Sequence, residues 1–440
     1  MKALTKKRIT ALLALPALLF AAPHVLAQSE EYATPVELFP DFSDFFEQAL
    51  ARDNVPGGVF AVVHRDRILQ IQPFGVRAAG SSALVDENTV FRLASVSKTF
   101  ASGLAAKLQH EQYFQWQDPV TQYVPEFRFQ NESLANQVTV EHLLAHSVGV
   151  VPNAYDNLIE ANYNRTRILP HFARLNPLCE PGECYGYQNV LFSFIEPVLE
   201  QSTGVDYATL LSTELFNPLG MNNASVGLEQ YLAAPNKAAP HVRGQSRWFS
   251  RTVTPHYYNF PSAAGVNASA ADLAQWLIAQ LGYRPDVMPT EVLNDLREPR
   301  VRTVRDLRRR GWRNFIQDAH YALGWRLYQF GEHEIMYHGG WVQGFRADIA
   351  YSPEHEVGLV ILLNAESNVI NDISSQFWAD VLPRLEQERW VPYYHASTTR
   401  SAETDPEQQR ANSVRPDTPL PLLPIQPLGN SSAGAGLLNR

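Results

Sequence analysis

Residues 57–66, GGVFAVVHRD, form an unbroken run of apolar and β-branched residues that starts with two glycines and ends at a polar turn. Residues 67–76, RILQIQPFGV, follow at once and are again rich in strand formers, so the two runs predict a β-hairpin. Three more short apolar runs come late in the chain, at 334–340 (EIMYHGG), 347–353 (ADIAYSP) and 356–364 (EVGLVILLN). Strand signals near both ends predict one antiparallel sheet that both ends of the chain build together.

Helical spacing dominates the chain between these two sets of strands. The clearest helical stretches are 98–110 (KTFASGLAAKLQH), 189–204 (NVLFSFIEPVLEQSTG) and 269–282 (SAADLAQWLIAQLG). Helices are also predicted at 41–54, before the first strand, and at 374–388, after the last one.

These patterns predict one α/β (α+β) domain over residues 42–392. Its antiparallel sheet, flanked by helices, is expected from residues 42–94 and 323–392, and a mainly helical lobe of residues 95–322 is inserted between them. Catalytic clefts often lie at the junction of two such parts.

Composition narrows the function classes. The chain has 440 residues, of which 45% are hydrophobic, and this is enough for a large core. The formal net charge is −9, which gives a nucleic-acid partner no electrostatic support. One dense basic run, residues 300–313 (RVRTVRDLRRRGWR), is predicted to be a solvated face, with contact to the anionic cell envelope as the alternative.

The first 27 residues predict a cleavable export signal. Basic residues Lys2, Lys6, Lys7 and Arg8 precede the apolar run ITALLALPALLFAAP, and the small residues before Gln28 suit signal peptidase. The apolar run is too short and too interrupted to span a bilayer. We therefore expect a periplasmic protein with no membrane span after cleavage before Gln28. Residues 395–440, rich in Pro, Ser and Asn, predict a disordered tail.

Only two cysteines occur, Cys179 and Cys184, in the stretch LCEPGEC. Two thiols alone cannot form a structural zinc site, and in an oxidising compartment a disulfide across this turn is the expected state. Free thiols are the alternative, because so short a loop need not meet disulfide geometry.

Lys98 is conspicuous because the chain has thirty arginines and six lysines, three of which lie in the first seven residues. It ends the motif Ser95-Val96-Ser97-Lys98, between an extended run and a predicted helix. Ser95 at that helix start would meet backbone N–H groups that favour negative charge, and Lys98 lies one turn later on the same side. A lysine can give up its proton when desolvated, whereas an arginine cannot. The pattern therefore suggests a serine nucleophile with a lysine base, against the alternative of a capping serine and a solvated lysine.

Two further motifs gain meaning beside Ser95 and Lys98. Tyr187 and Asn189 form a Y-x-N, whose tyrosine could lose a proton near a cationic lysine. His338-Gly339-Gly340 ends a predicted strand, where the glycines permit close approach to a ligand. His333 and His338 are predicted to face opposite sides of that strand, so we expect no metal ligation and no cofactor.

In this order and spacing, these three motifs resemble the serine β-lactamase and penicillin-binding-protein superfamily, and within it the class C β-lactamase-like branch. Supporting stretches include VTVEHLLAHSVGV, LFNPLGMNN and GVNASAADLAQWL. That branch also contains D,D-carboxypeptidases, D-aminopeptidases and family VIII-type esterases. The resemblance covers residues 42–392 and implies a serine hydrolase that forms an acyl-enzyme.

The resemblance also implies residue roles. Ser95 is implied to be the acylated nucleophile, Lys98 its proton-transfer partner and Tyr187 the relay to the leaving group. Asn189 is implied to orient the substrate amide and Lys98. The backbone N–H groups of Ser95 and Trp341 are implied to form the oxyanion hole.

The third motif departs from the family pattern. Lactamases have K-T-G where this chain has His338-Gly339-Gly340, so a permanent cation and a hydroxyl are missing. Acyl transfer is therefore implied more firmly than β-lactam hydrolysis. The expected substrates are small molecules: β-lactams or peptidoglycan-type D-amino acid peptides first, with esters as the alternative. An imidazole with a pKa of about 6.5 would protonate as the pH falls, so carboxylate-bearing substrates are expected to bind better near pH 6.

Two rival interpretations remain. Ala145-His146-Ser147-Val148-Gly149 imitates the nucleophile elbow of α/β-hydrolases, which needs a strand before the serine and a helix after it. Here Ser147 follows a helix-like stretch instead, so we expect it in a loop lining the cleft. The other rival is a non-catalytic envelope protein that binds peptidoglycan. The altered third motif favours this interpretation, and the intact Ser95, Lys98 and Tyr187 argue against it.

Overall fold

A computed structural model of the chain describes residues 40–245 and 247–390. The predicted signal segment, residues 1–27, and the predicted tail, residues 395–440, lie outside the described residues. Within the described ranges, no helix combines the length and the hydropathy that crossing a lipid bilayer requires.

The central element is an eight-stranded antiparallel sheet with the strand order β2-β1-β13-β12-β11-β10-β9-β8. This confirms the predicted sheet from both chain ends. Its strands are β1 (Gly57–His64), β2 (Arg67–Gly75), β8 (Val301–Arg302), β9 (Ile316–Tyr321), β10 (Arg326–Phe330), β11 (His333–Val342), β12 (Phe345–Ser352) and β13 (Val357–Leu363). Two small sheets contain β3 (Phe91–Arg92), β4 (Ser225–Val226) and β7 (Val266–Ala268), and β5 (His241–Arg243) with β6 (Trp248–Ser250).

The first and last strands of the large sheet are direct neighbours. Gly58 pairs with Leu363 and His64 with Val357, so β1 and β13 run antiparallel along their whole length. Asn364 continues the pairing, since its side-chain oxygen accepts a 2.9 Å hydrogen bond from the Gly57 N–H. Both strands are buried on both faces, which explains why they read as continuous apolar runs rather than alternating ones.

The sheet begins earlier in the late part of the chain than predicted. We expected it from residue 323, but β8 and β9 lie before that position. The β9 sequence IQDAHY buries Ile316, Ala319 and Tyr321 and leaves Gln317 exposed. Such a half-polar strand next to the arginine-rich run lacks the apolar signal of β13, and this is why the pattern assigned the segment to the helical lobe.

Helices cover both faces of the sheet. One apolar cluster joins the sheet to the first and last helices, through Phe46, Phe60, Ile361 and Trp378. The α-helices are α1 (Phe42–Arg52), α2 (Ser97–His110), α3 (Val120–Tyr123), α4 (Glu132–Ala135), α5 (Val140–Leu144), α6 (Asp156–Glu160), α7 (Arg165–Ile168), α8 (Ile195–Thr203), α9 (Tyr207–Leu211), α10 (Asn217–Leu219), α11 (Leu228–Ala233), α12 (Pro261–Ala264), α13 (Ala270–Gln280), α14 (Thr290–Arg297) and α15 (Val369–Trp390).

The opposite face packs on the helical part of the chain. There Val59, Leu362 and Trp276 share a second cluster with α2 and α13. Short 3₁₀ turns link the helices at Ala94–Val96, Leu169–Arg174, Phe192–Phe194, His256–Asn259, Asp306–Arg308 and Trp312–Asn314, and a π-helical turn covers Ser212–Phe216. The fold therefore places the start of α2 directly beside one face of the sheet.

Candidate active site

Ser95 lies in the 3₁₀ turn Ala94–Val96, which connects β3 to α2. Ala94 has a positive φ of 50°, an unusual backbone conformation for a residue with a side chain. Ser95 is partly exposed, whereas every other residue from Phe91 to Phe100 is buried. The turn thus presents one hydroxyl to solvent at the edge of an apolar core.

Lys98 is fully buried one turn after Ser95. Its Nζ lies 3.4 Å from Ser95 Oγ, 2.8 Å from Asn189 Oδ1 and 2.9 Å from the carbonyl oxygen of Ala263. It also lies 4.8 Å from the centre of the Tyr187 ring. The structure therefore brings together four residues that the sequence singled out or implied: Ser95, Lys98, Tyr187 and Asn189.

Burial holds the pKa of Lys98 well below its usual value, and the charge of Arg326 adds to this, while Asp156 opposes it. Asp156 also holds Asn189, whose side-chain amide donates a 2.8 Å hydrogen bond to Asp156 Oδ2. Burial also raises the pKa of Asp156. A desolvated lysine so placed has an accessible neutral form, which a proton acceptor for Ser95 requires.

Backbone hydrogen bonds to two other chain segments, at Asn153 and at His146, hold the Tyr187 segment in place. Its carbonyl accepts from Asn153 N–H at 2.7 Å, and the N–H of the preceding Gly186 donates to the His146 carbonyl at 2.8 Å. The phenol forms a side-chain hydrogen bond with Ser95, yet burial raises the pKa of Tyr187 to about 12. The resting side chain is therefore a neutral phenol, and the loss of its proton near Lys98 during the reaction stays a prediction.

His146 is a site residue that sequence reasoning did not single out. It is fully buried, its ring lies 4.2 Å from that of Tyr187, and its Nδ1 accepts a 3.2 Å hydrogen bond from the Gln188 N–H. Burial and the charges of Lys98 and Arg326 keep the pKa of His146 well below its usual value. His146 therefore fixes the backbone on both sides of Tyr187: its neutral imidazole accepts from the Gln188 N–H, and its main-chain carbonyl accepts from the Gly186 N–H.

His338 is also fully buried and neutral. Burial lowers its pKa far below the usual value, and the charges of Arg326 and Lys98 act in the same direction. Tyr321 Oη lies 3.0 Å and Arg326 Nη1 3.4 Å from its Nε2, while Nδ1 lies 3.1 Å from the Gly339 carbonyl oxygen. Arginine has no acceptor, so Nε2 carries the lone pair and Nδ1 the proton.

This environment contradicts the expected gain of substrate binding near pH 6. His338 stays uncharged there, because a proton on Nε2 would face the Arg326 guanidinium in a desolvated site.

Arg326 supplies a permanent positive charge next to His338. It opens β10, directly across from Tyr321 on β9, and its Nε forms a 3.0 Å ion pair with Asp306. Its guanidinium lies 5.3 Å from the centre of the Tyr187 ring. Sequence reasoning missed Arg326 because nothing local marks it among thirty arginines; only the strand order shows that it neighbours the third motif.

The third motif packs against the nucleophile turn. A Cβ on Gly340 would overlap the carbonyl oxygen of Leu93, and one on Gly339 would crowd Tyr337, so both positions need glycine. Trp341 follows on β11, with its ring exposed and its Nε1 donating to Glu366 at 3.2 Å. This brings the backbone of β11 alongside the Ser95 turn, as a shared oxyanion hole requires, although that role stays a prediction.

Cys179 and Cys184 form a disulfide, as expected. Their loop pairs with the segment after α5: Gly182 N–H donates to the Ser147 carbonyl at 2.7 Å, and Leu178 N–H donates to Gly149. Ser147 follows a helix and is buried in a loop, without the strand that a nucleophile elbow needs. The α/β-hydrolase alternative is therefore wrong for this chain, and the Ser147 loop instead supports the Tyr187 segment.

An open cleft of about 470 Å³ borders Tyr187. Tyr185, Arg326 and Asn153 line it together with two residues of the basic run, Arg302 and Arg305. Part of that run, predicted to be a solvated face with envelope contact as the alternative, thus borders the site. Three arginines and two acidic side chains, Glu183 and Asp306, line the cleft, so its wall has a small positive excess. Arg326 is paired with Asp306 and Arg302 with Asp318.

The chain is similar in sequence to several curated proteins. The chain is 25% identical over 358 residues to Unguisins hydrolase ungD' of Aspergillus campestris, covering 78% of this chain and 64% of the relative. It is 21% identical over 332 residues to Protein flp of Staphylococcus aureus, covering 74% of this chain and 62% of the relative. The chain thus spans less than two thirds of the length of these curated relatives.

A solved structure supports the fold. The octameric penicillin-binding protein homologue from Pyrococcus abyssi superposes with a TM-score of 0.67 at 21% identity, covering 78% of this chain and 76% of the other. A family model described as Beta-lactamase matches residues 42–380, which include all the site residues discussed above. The chain therefore belongs to the Beta-lactamase family.

Proposed function

We propose that this protein is an exported, class C-like serine hydrolase that forms an acyl-enzyme on β-lactams or on peptidoglycan-type D-amino acid peptides. The observation that carries the proposal is the fully buried Lys98 amine, whose Nζ lies within hydrogen-bonding distance of three oxygens. One of these oxygens is the partly exposed Ser95 hydroxyl. A structural lysine gains nothing from a depressed pKa next to a hydroxyl, whereas a catalytic base needs it.

In the proposed acylation, neutral Lys98 accepts the Ser95 proton as Oγ attacks the substrate carbonyl. The N–H groups of Ser95 and Trp341 stabilise the oxyanion. Tyr187, protonated in the resting state, donates its proton to the leaving nitrogen or oxygen as the acyl bond breaks. The proton on Lys98 then restores the phenol, so the site returns to its starting charge with the acyl group on Ser95.

Deacylation uses the same groups in reverse. Tyr187 and Lys98 together accept a proton from a water molecule that attacks the acyl carbonyl, and Ser95 leaves with a proton in return. Asn189, held by Asp156, keeps Lys98 in place in both steps. His338 takes part as a neutral hydrogen-bonding group that fixes Tyr321 and Arg326 and not as a charge.

Charge around the cleft supports a carboxylate-bearing substrate. The lysine of the lactamase K-T-G motif is absent, but Arg326 lies beside His338, and Arg302 and Arg305 line the neighbouring wall. β-Lactams and peptides that end in a D-amino acid both carry a carboxylate near the scissile carbonyl. The neutral His338 favours the second candidate, a family VIII-type esterase, because esters need less carboxylate recognition.

A substrate panel on the purified mature protein tests this proposal. The panel contains nitrocefin, a carbapenem, a D-Ala-D-Ala peptide, a D-amino-acid amide and p-nitrophenyl butyrate. We expect turnover of a D-amino-acid substrate, or acylation of Ser95 by a β-lactam in intact-mass spectra, and neither with Ser95→Ala as the matched control. Turnover of the butyrate alone would replace the first choice by the esterase, and no acylation by any compound would favour the non-catalytic peptidoglycan-binding alternative.

Export is the other part of the proposal, and it rests on the basic and apolar pattern of residues 1–27. We expect the protein to reach the periplasm with Gln28 as its first residue. Intact mass or N-terminal sequencing of the protein recovered from a Gram-negative periplasm measures this. Recovery in the cytosol with Met1 retained would contradict it.

A further inference from the structure

A cluster of metal-ligand side chains lies at the end of the sheet away from the third motif. It contains His333, the first residue of β11, and Glu354 and His355 in the turn between β12 and β13. We propose that these three side chains bind a zinc ion. This site is independent of the proposed hydrolase function and is assigned from its own geometry.

The three ligand atoms form a compact triangle. His333 Nδ1 lies 2.9 Å from His355 Nε2 and 3.6 Å from Glu354 Oε2, and His355 Nε2 lies 3.8 Å from the same oxygen. Neighbouring ligands around tetrahedral zinc are roughly 3.3 Å apart for metal–ligand distances near 2.0–2.1 Å. The triangle therefore already approximates one face of a zinc tetrahedron, and a water molecule can complete it on the solvent side.

Burial favours a bound ion over two loose surface imidazoles. The side chain of His355 is 1% exposed and that of His333 is 8% exposed, whereas Glu354 is 49% exposed. Two imidazoles and one carboxylate are the N and O ligands that zinc accepts. Without metal, one imidazole N–H donates to the other ring, so the folded chain keeps both rings satisfied and ready for the ion.

A fourth residue orients His333. Its second ring nitrogen, Nε2, lies 3.4 Å from Glu386 Oε1 on α15. A carboxylate that accepts from Nε2–H leaves the lone pair on Nδ1, the nitrogen that faces Glu354 and His355. Metal-bound histidines are commonly held in this way by an outer carboxylate. The arrangement therefore contains an inner ligand set and one outer partner.

The strand register explains why these residues meet. Met336 pairs with Tyr351 across β11 and β12, so extending the same register by three residues places His333 opposite Glu354. In sequence, His333 is separated from Glu354 by the whole length of β11 and β12, and no motif spacing reveals the cluster. The prediction that His333 and His338 face opposite sides agrees with their neighbours, because Ile335 and Tyr337 belong to one apolar cluster and Met336 to the other.

Zinc at this site is expected to stabilise the fold and to take no part in hydrolysis. His333 and His338 are five residues apart on one strand, which is roughly 17 Å at ~3.4 Å per residue. A zinc ion there would join β11 to the β12–β13 turn without touching Ser95. Binding should therefore raise the melting temperature and leave hydrolysis unchanged.

Zinc binding to the full, untagged and chelator-treated protein tests the proposal. Titration calorimetry and elemental analysis at pH 7.5 are expected to show one zinc per chain, with a melting temperature that rises by several degrees and falls again with EDTA. Loss of an outer partner typically lowers metal affinity by about 10- to 100-fold. Glu386→Gln should therefore weaken zinc binding by about 10-fold, and the inner-ligand variants His355→Gln and Glu354→Gln by at least ~100-fold. The protein loaded with Co²⁺ in place of zinc should show the strong visible absorption that is typical of a four-coordinate cobalt ion.

His110→Gln, at an exposed histidine on α2, is the matched control and should bind like the wild type. Equal affinity in all variants, or no zinc bound beyond the buffer blank, would overturn the proposal and leave only the hydrogen bond between the two rings. If His355→Gln does not fold, Glu354→Gln and Glu386→Gln still decide the question, since both replace half-exposed carboxylates by amides of equal size.

Discussion

Replacing Ser95 with alanine is expected to lower kcat by about 10⁵-fold for every substrate that the protein turns over, and to prevent all acylation by β-lactams. The reason is that Ser95 supplies the attacking oxygen, and alanine has none. Lys98 keeps two of its three hydrogen bonds, to Asn189 and Ala263, so the buried ammonium is not left without partners. Steady-state rates and intact-mass spectra measure the loss, and an unchanged melting temperature shows that the fold is intact.

Ser147→Ala is the matched control for this variant. Ser147 is a buried serine in the competing A-H-S-V-G motif, and its backbone hydrogen bonds with His142 and Gly182 do not need the hydroxyl. Its activity should stay within about two-fold of the wild type, because Ser147 supplies no group to the proposed reaction and the substitution removes only one hydroxyl. Loss of acylation in Ser147→Ala together with full activity in Ser95→Ala would reverse the assignment of the nucleophile.

Lys98→Arg is the second variant with a large expected effect, about 10³-fold on kcat/KM, although it keeps the positive charge. Burial lowers the pKa of Lys98, so a neutral amine is available to accept the Ser95 proton. Arginine cannot supply a neutral form under these conditions. In the wild type, kcat/KM should fall as the pH drops through the pKa of Lys98, because the protonated amine accepts no proton, and that limb should lie far below the usual lysine range.

Lys107→Arg serves as the matched control, since Lys107 lies on the same helix and forms a 2.7 Å ion pair with Glu214 that arginine can also make. It should leave rates unchanged. Lys98→Met, neutral and of similar volume, separates size from charge and should be as inactive as Lys98→Arg. If Lys98→Arg keeps more than about a tenth of the wild-type rate, Lys98 acts only through its charge and the base assignment is wrong.

The sequence patterns predicted the sheet well where a strand is buried on both faces. β1 and β13 are continuous apolar runs, and their strength made the pairing of the two chain ends visible without a structure. β8 was missed because it is a two-residue edge strand, and β9 because it is half polar and carries weak periodicity. Their position matters for the site, since β9 supplies Tyr321 and sets β10 and Arg326 beside His338.

The site residues also fall into two groups, those that a local sequence motif reveals and those that only the folded structure brings together. Ser95 and Lys98 are visible because a single helical turn brings them together, and Tyr187 and Asn189 are visible through a short local motif. Asp156, His146 and Arg326 come from other elements and were recognised only by their contacts. The charge state of His338 was unpredictable for a related reason, because it depends on burial and on a guanidinium from the neighbouring strand.

The pairing of β1 with β13 also constrains how the chain folds as it is synthesised. The hydrogen bond between Gly57 and Asn364 joins residues 307 positions apart. While the ribosome makes the intervening chain, the β1–β2 hairpin has one apolar edge with no partner, and such edges promote aggregation. Contacts this distant in sequence also slow folding. Until residues 357–363 emerge, that edge of the β1–β2 hairpin therefore has no β13 to pair with.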